Sequence, residues 1–89
     1  MGRAYRSKYD IIADILEAAI NGARKTRIMH MANVNYHSFC KYFNILLKEG
    51  LIEEFRDSDG GLVYRTTEAG LEHLRIFARL SNQMREKEE

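Results

Sequence analysis

Residues 46–52 have the sequence LLKEGLI, and residues 57–61 have the sequence DSDGG. The first segment combines the apolar end of a helix with a glycine suited to a helix stop, and a short apolar strand, residues 51–56, begins there. The second segment is a polar turn whose aspartates and glycines tolerate positive φ, and a second candidate strand, residues 62–66, follows it. This order predicts a β-hairpin placed directly after a helix.

Three amphipathic helices are predicted upstream of the hairpin. The first ends near Gly22, the second covers residues 26–32 after a short extended segment, and the third covers residues 36–49 with Asn35 as its N-cap. The expected inner face of the first helix comprises Tyr9, Ile12, Ala13, Leu16, Ala19 and Ile20. The expected inner face of the third comprises Tyr36, Phe39, Cys40, Phe43, Leu46 and Leu47. The expected outer face of the third comprises His37, Ser38, Lys41, Asn44, Ile45 and Lys48.

A last helix is predicted to run from a threonine cap at residues 66–69 to about Lys87. Phe77, Leu80 and Met84 recur along it at spacings of three and four. An apolar stripe of this kind on a soluble protein needs a partner. We therefore expect these three residues to form a dimer interface.

These elements together predict an α+β, mostly α, fold. It is a winged helix-turn-helix, with a three-helix core, a two-stranded hairpin as the wing, and an extended C-terminal helix. Within this single structural domain, residues 1–66 would form the DNA-binding region. Residues 67–89 would pack on that region and dimerise.

The charges are unevenly distributed along the 89 residues, although the formal net charge is only +1. Between Arg24 and Lys48 there are five Lys or Arg residues, two His and no acidic residue. A near-neutral chain with one basic surface is typical of a protein that binds nucleic acid at a single site. No apolar run approaches the roughly 20 residues of a membrane-spanning helix, and the basic start lacks a signal core. A soluble, cytoplasmic protein is therefore expected.

The third helix carries the side chains that we expect to contact DNA. In a helix-turn-helix, the second helix of the pair enters the major groove with its N-terminal residues at the base edges. Amide, hydroxyl and cationic side chains can bond bases or phosphates there. The expected contacts are Asn35, Tyr36, His37, Ser38, Lys41 and Tyr42. The alternative is an ordinary solvated helix face with Tyr36 in the core.

Two further basic groups are candidates for phosphate contact. One lies near the start of the second helix, where backbone N–H groups and cations suit an anion. Its members are Arg24, Lys25 and Arg27. The other comprises Arg56 and Arg65 in the hairpin. Because the aspartates of the turn would repel phosphate, both arginines could instead pair with these acids or with the glutamates across the strands. The basic start of the chain, with Arg3, Arg6 and Lys8, is either a third phosphate contact or a tail without a fixed partner.

No enzymatic activity, metal, cofactor or small-molecule ligand is expected. The three histidines lie on different predicted helices, and the sequence contains neither a nucleophile elbow nor a glycine-rich phosphate loop. Cys40 is the only cysteine and cannot form a disulfide within one chain. A buried free thiol and a disulfide between two copies of the chain both stay open.

Several segments resemble the small archaeal winged-helix proteins that are similar in size to this 10.4 kDa chain. They are YDIIADIL at residues 9–16, KTRIM at residues 25–29, ANVNY at residues 32–36 and LLKEGLI at residues 46–52. The TTEAG segment at residues 66–70 resembles the Thr-x-x-Gly entry into the last helix of such domains. Some members of this family are described as chromatin-associated DNA-binding proteins, and related chains occur in archaeal viruses.

The resemblance implies a homodimer joined through the C-terminal helices, with each third helix presented to DNA. Its last helices would form either a long antiparallel coiled coil, as in the chromatin-type relatives, or a compact dimer of the regulator type. We therefore predict a homodimeric transcriptional regulator that binds double-stranded DNA sequence-specifically. The alternatives are a chromatin-type protein that binds DNA without specificity and a winged-helix module for protein–protein contact in a transcription complex.

Overall fold

Four helices and one two-stranded antiparallel sheet make up the computed structural model, which describes residues 6–88, with side chains described as far as Asn82. The elements are α1 (Lys8–Ala18), α2 (Lys25–Ala32), α3 (Tyr36–Lys48), β1 (Ile52–Arg56), β2 (Leu62–Thr66) and α4 (Glu68–Glu88). The predicted fold class and element order are confirmed. The first strand begins one residue later than predicted.

Local signals in the sequence set the ends of the helices. Ser7 and Asp10 form a capping box at the start of α1, in which each side chain satisfies the backbone N–H of the other. The Asn35 side-chain oxygen accepts a hydrogen bond from the backbone N–H of Ser38 at 2.9 Å and so caps α3. Gly50, with φ of 76°, turns the chain out of α3 towards β1.

The predicted extended segment before α2 pairs with the hairpin. The backbone N–H of Ala23 donates to the Tyr64 carbonyl at 2.9 Å, and the Tyr64 N–H donates to the Ala23 carbonyl at 2.8 Å. This isolated bridge lies beside β2, which pairs with β1 in the register Ile52 to Thr66 through Arg56 to Leu62. The start of α2 is therefore fixed against the wing.

Aromatic residues of α3 and β2 join the helices to the hairpin in one core. The rings of Phe39 and Phe43 stack with centroids 4.8 Å apart, and Tyr64 meets Phe43 edge-on at 4.9 Å. Leu16 of α1 and Ile28 of α2 are fully buried in the same cluster. Burying side chains of this size stabilises the fold by roughly 1.5–3 kcal/mol each.

Three positions expected on inner faces are exposed instead. Tyr9 is 57% exposed and faces α4, while Ile20 lies beyond the end of α1, where the helical wheel no longer applies. Ile15 is fully buried in their place. Tyr36, the first residue of α3, is 71% exposed, so its expected place on the inner face is wrong. Cys40, expected on the same inner face, is half-buried.

Arg6 has fixed partners within the chain. Its guanidinium donates to the Asp14 carboxylate of α1 at 2.6 Å, to the Ala32 carbonyl at 2.8 Å, and to the Asn33 carbonyl. Cations near a helix C-terminus interact favourably with the unpaired carbonyls and the helix dipole. Arg6 is thus not a tail residue but a link between α1 and the turn that separates α2 from α3.

Candidate nucleic-acid interface

The outer face of α3 presents polar and cationic side chains to solvent. His37 and Lys41, one helical turn apart, are exposed, and so is Tyr36 beside them. The Lys41 ammonium lies 5.5 Å from the ring centroid of Tyr42, which is half-buried against the core. Of the exposed side chains on this face, Ile45 is the large apolar one, at 44% exposed. The face therefore offers hydrogen-bond donors close to the start of the helix.

Tyr36 and Cys40 interact along α3. A hydrogen bond with the Cys40 side chain, one turn further along, raises the pKa of the Tyr36 phenol above its ordinary value of 10.0. The phenol is therefore a neutral hydrogen-bonding group at physiological pH.

Three of the expected base contacts on α3 are partly engaged in capping or packing. The Asn35 oxygen is engaged as the helix cap, and Ser38, whose N–H it accepts from, is half-buried. Tyr42 packs partly against the core, with only part of its surface exposed. Tyr36, His37 and Lys41 are therefore the exposed members of the expected set that do not cap the helix.

The start of α2 brings three cations together. Arg24, Lys25 and Arg27 are all exposed, and Arg24 and Arg27 line an open hollow with Thr26 and His30. The Lys25 ammonium lies 5.4 Å from the ring centroid of Phe43, a cation–π distance that ties this end of α2 to α3. No side-chain hydrogen bond caps α2 within the described residues, and its first turn contains no acid. This end of α2 has the charge and the N–H groups that suit an anion.

Arg24 also contacts the wing. One of its terminal nitrogens lies 2.7 Å from a carboxylate oxygen of Asp57, which is 33 residues away in the sequence. The other Asp57 oxygen accepts the backbone N–H groups of Asp59 and Gly61 at 2.9 and 3.0 Å. Sequence analysis missed this ion pair, because no local pattern links α2 to a turn so distant in the chain.

The two arginines of the hairpin are engaged within it. Arg65 pairs with Glu53, its cross-strand partner, at 3.1 Å, and its guanidinium lies 4.9 Å from the ring centroid of Phe55. Arg56 donates to the Gly60 carbonyl at 2.7 Å. The cross-strand pairing that was considered for Arg65 is therefore present. Arg56 bonds the backbone of its own turn instead.

An apolar groove runs between the start of α1 and α4. Phe77 and Leu80, both expected in a dimer interface, line it together with Tyr9 and Ile76. Leu80 is 54% exposed, Ile76 47% exposed and Phe77 half-buried. The Met84 side chain, expected in the same interface, lies outside the described residues. Tyr9 and Ile76 were missed because a helical wheel places a residue relative to its own helix axis, not to a neighbouring helix.

Across residues 6–82, no group of three or more His, Cys, Asp or Glu side chains is placed to hold a metal ion. Within the described part of the chain, no helix is both long enough and apolar enough to cross a membrane.

The chain belongs to the winged helix-turn-helix family, whose model matches residues 5–85. An uncharacterized protein of the archaeon Methanocaldococcus jannaschii is 36% identical over 56 residues, which are 62% of this chain and 58% of that protein. This chain therefore matches less than two thirds of the relative's length. The resemblance to small archaeal winged-helix proteins is confirmed.

Two solved structures show the same fold. Sso10a-2, a DNA-binding protein from Sulfolobus solfataricus, matches with a TM-score of 0.71 and 25% identity over 93% of this chain and 90% of that chain. MepR of S. aureus, in a complex with DNA, matches with a TM-score of 0.69 and 15% identity over 93% of this chain and 69% of that chain. At the identity of the second pair, the likeness concerns the fold alone.

Proposed function

We propose that this protein is a transcriptional regulator that binds double-stranded DNA, with α3 in the major groove. The observation that carries this proposal is the exposed surface formed by α3 and the start of α2. This surface lies within residues 24–48, which include five Lys or Arg residues and no acidic residue. Phosphate contacts from such cations supply affinity, and side chains at the start of α3 supply base contacts. The names of Sso10a-2 and of the MepR complex, which refer to DNA binding, support the same function.

The proposed contacts differ in what they contribute. Tyr36, His37 and Lys41 reach bases or phosphates from α3, and Arg27 holds a phosphate at the start of α2. Asn35, Ser38 and Tyr42 contribute through the part of each side chain that capping and packing leave accessible. Arg56 and Arg65 contribute less, since both make contacts inside a hairpin whose turn contains two aspartates.

The active form in this proposal is a homodimer. Residues 1–66 bind DNA, and residues 67–89 join two copies through the face that includes Phe77, Leu80 and Met84. The exposed apolar groove between α1 and α4 supports this arrangement, because the free energy falls when a second copy covers a contiguous apolar surface. Two-fold symmetry would then set two half-sites about one helical turn, or a multiple of it, apart.

The first test measures the affinity for duplex DNA over a series of salt concentrations. Log affinity should fall linearly with log salt at a slope of about −0.9 for each phosphate contact, because binding releases counterions. Arg27→Gln should make that slope less steep by about 0.9. Arg79→Gln removes the same charge from the exposed surface of α4 and should leave the slope unchanged.

Binding that does not respond to salt, or no binding at low salt, would contradict the proposal and favour a protein partner for the α3 face. A second test selects bound sequences from a random duplex pool at moderate salt. Enrichment of a palindrome is expected for a regulator. Strong binding without enrichment would instead support the chromatin-type alternative.

A further inference from the structure

The wing carries a carboxylate that lies against Arg24 at the start of α2. The Asp57 oxygen lies 2.7 Å from the Arg24 nitrogen, which is the distance of a charge-assisted hydrogen bond to a carboxylate or a phosphate. Arg24 lies at the start of α2 beside Arg27, in the group of cations assigned above to phosphate contact. The pair therefore removes one positive charge from the proposed binding surface while DNA is absent.

Gly61 provides a second, independent indication that the chain is shaped around this contact. The positive φ in the turn, 84°, is that of Gly60, so the backbone conformation does not explain a glycine at the next position. A Cβ atom at position 61 would lie 2.0 Å from a terminal nitrogen of Arg24. The glycine thus leaves the space in which the guanidinium lies.

We propose that Asp57 occupies, in the free protein, the place of a DNA phosphate on Arg24, and that a phosphate displaces it when DNA binds. This inference rests on the proposed function, and it identifies a contact that lowers the affinity of the protein for DNA. The Arg24 and Asp57 side chains are 54% and 29% exposed, and ion pairs at a protein surface contribute little to stability. The exchange therefore costs the fold little. Asp57 keeps its place in the turn because its other oxygen still accepts two backbone N–H groups.

Two variants release Arg24 by different means. Asp57→Asn removes the charge but keeps an oxygen that can accept the turn's N–H groups. Gly61→Ala changes no charge and displaces only the flexible end of the arginine. Both should tighten binding of the full chain to a fixed duplex by about two- to fivefold, which corresponds to the strength of an exposed ion pair.

Asp59→Asn is the matched control, since it removes an equal charge from the same turn. It should increase the affinity for the duplex less than Asp57→Asn does. When Arg24 is replaced by Gln, Asp57→Asn should increase the affinity for the duplex no more than Asp59→Asn does. Gly61→Ala should then not increase the affinity at all. Circular dichroism establishes that each variant is folded. Because the two releasing variants perturb the turn differently, a failure of one to fold leaves the other to decide.

Equal effects of Asp57→Asn and Asp59→Asn would overturn the inference, as would weaker binding by either releasing variant. Weaker binding would mean that the pair braces the wing for DNA rather than competing with it. These outcomes leave the proposed function intact as long as the unaltered protein binds duplex DNA. Absence of duplex binding by all proteins at low salt would overturn both.

Discussion

Gly70 shows how a single residue can determine the way two elements meet. The Thr67 hydroxyl donates to the Gly50 carbonyl at 2.7 Å and accepts the Gly70 N–H at 3.2 Å, which makes Thr67 the cap of α4. Gly70 is buried against the start of the hairpin, and a Cβ there would lie 2.4 Å from the Leu51 carbonyl oxygen. The Thr-x-x-Gly motif thus combines a helix cap with the space that the preceding chain needs.

Replacing Gly70 with alanine should therefore destabilise the protein, although alanine is the better helix former by about 1 kcal/mol. We expect a loss of about 1–3 kcal/mol in the free energy of unfolding, because the obstructing atom belongs to the backbone. Urea denaturation monitored by circular dichroism measures this loss of stability. Ala69→Gln, at the neighbouring exposed position, should change stability by less than about 0.5 kcal/mol. A more stable Gly70→Ala protein would contradict the close approach.

At the scale of the element, the buried tyrosine of the hairpin belongs to a cross-strand pair. Glu54 and Tyr64 are partners in the register of β1 and β2, and the phenol donates to the Glu54 carboxylate at 2.8 Å. Burial of Tyr64, together with this hydrogen bond, raises the pKa of its phenol above the ordinary 10.0. The folded protein therefore keeps the Tyr64 proton at a pH where the unfolded chain loses it.

This pKa difference predicts how stability depends on pH. The stabilisation from Tyr64 is fully present below about pH 10, the pKa of an unfolded tyrosine, and is lost as pH rises towards the higher pKa of the folded state. The free energy of unfolding should thus fall, from this residue alone, by up to about 1.4 kcal/mol per pH unit. Tyr64→Phe should show a shallower fall above about pH 10. Parallel curves for Tyr64→Phe and the unaltered protein would show that the Tyr64 proton is not linked to folding.

At the scale of the whole molecule, the groove between α1 and α4 leads to a prediction about assembly. Replacing Phe77 and Leu80 together with serine should shift the protein towards the monomer, because the apolar area that a second copy would cover is reduced. Sedimentation velocity measures the mass. Ile45→Ser removes a similarly exposed apolar side chain from α3 and should leave the mass unchanged. An unchanged mass after the double substitution would contradict a dimer through this face.

Most of the fold could be predicted because its signals are local. Asn35, Gly50 and the turn at residues 57–61 act on the backbone within a few residues of themselves, so their effects are visible in sequence order. Of the candidate site, the acid-free segment from Arg24 to Lys48 was equally visible. The surface position of Tyr36 was not, because the helical period suits both the core and the outside at the first turn of a helix.

The sequence by itself determined the order of the elements, their caps and turns, and the segment in which positive charge gathers, since each depends on neighbouring residues. The tertiary structure alone decided which side chains contact residues that are distant in the chain. It placed Asp57 on Arg24, bound Arg6 to the end of α2, and put Tyr9 in a groove with α4. These contacts join residues that are distant in the chain, and they arise only when packing of the core brings their elements together.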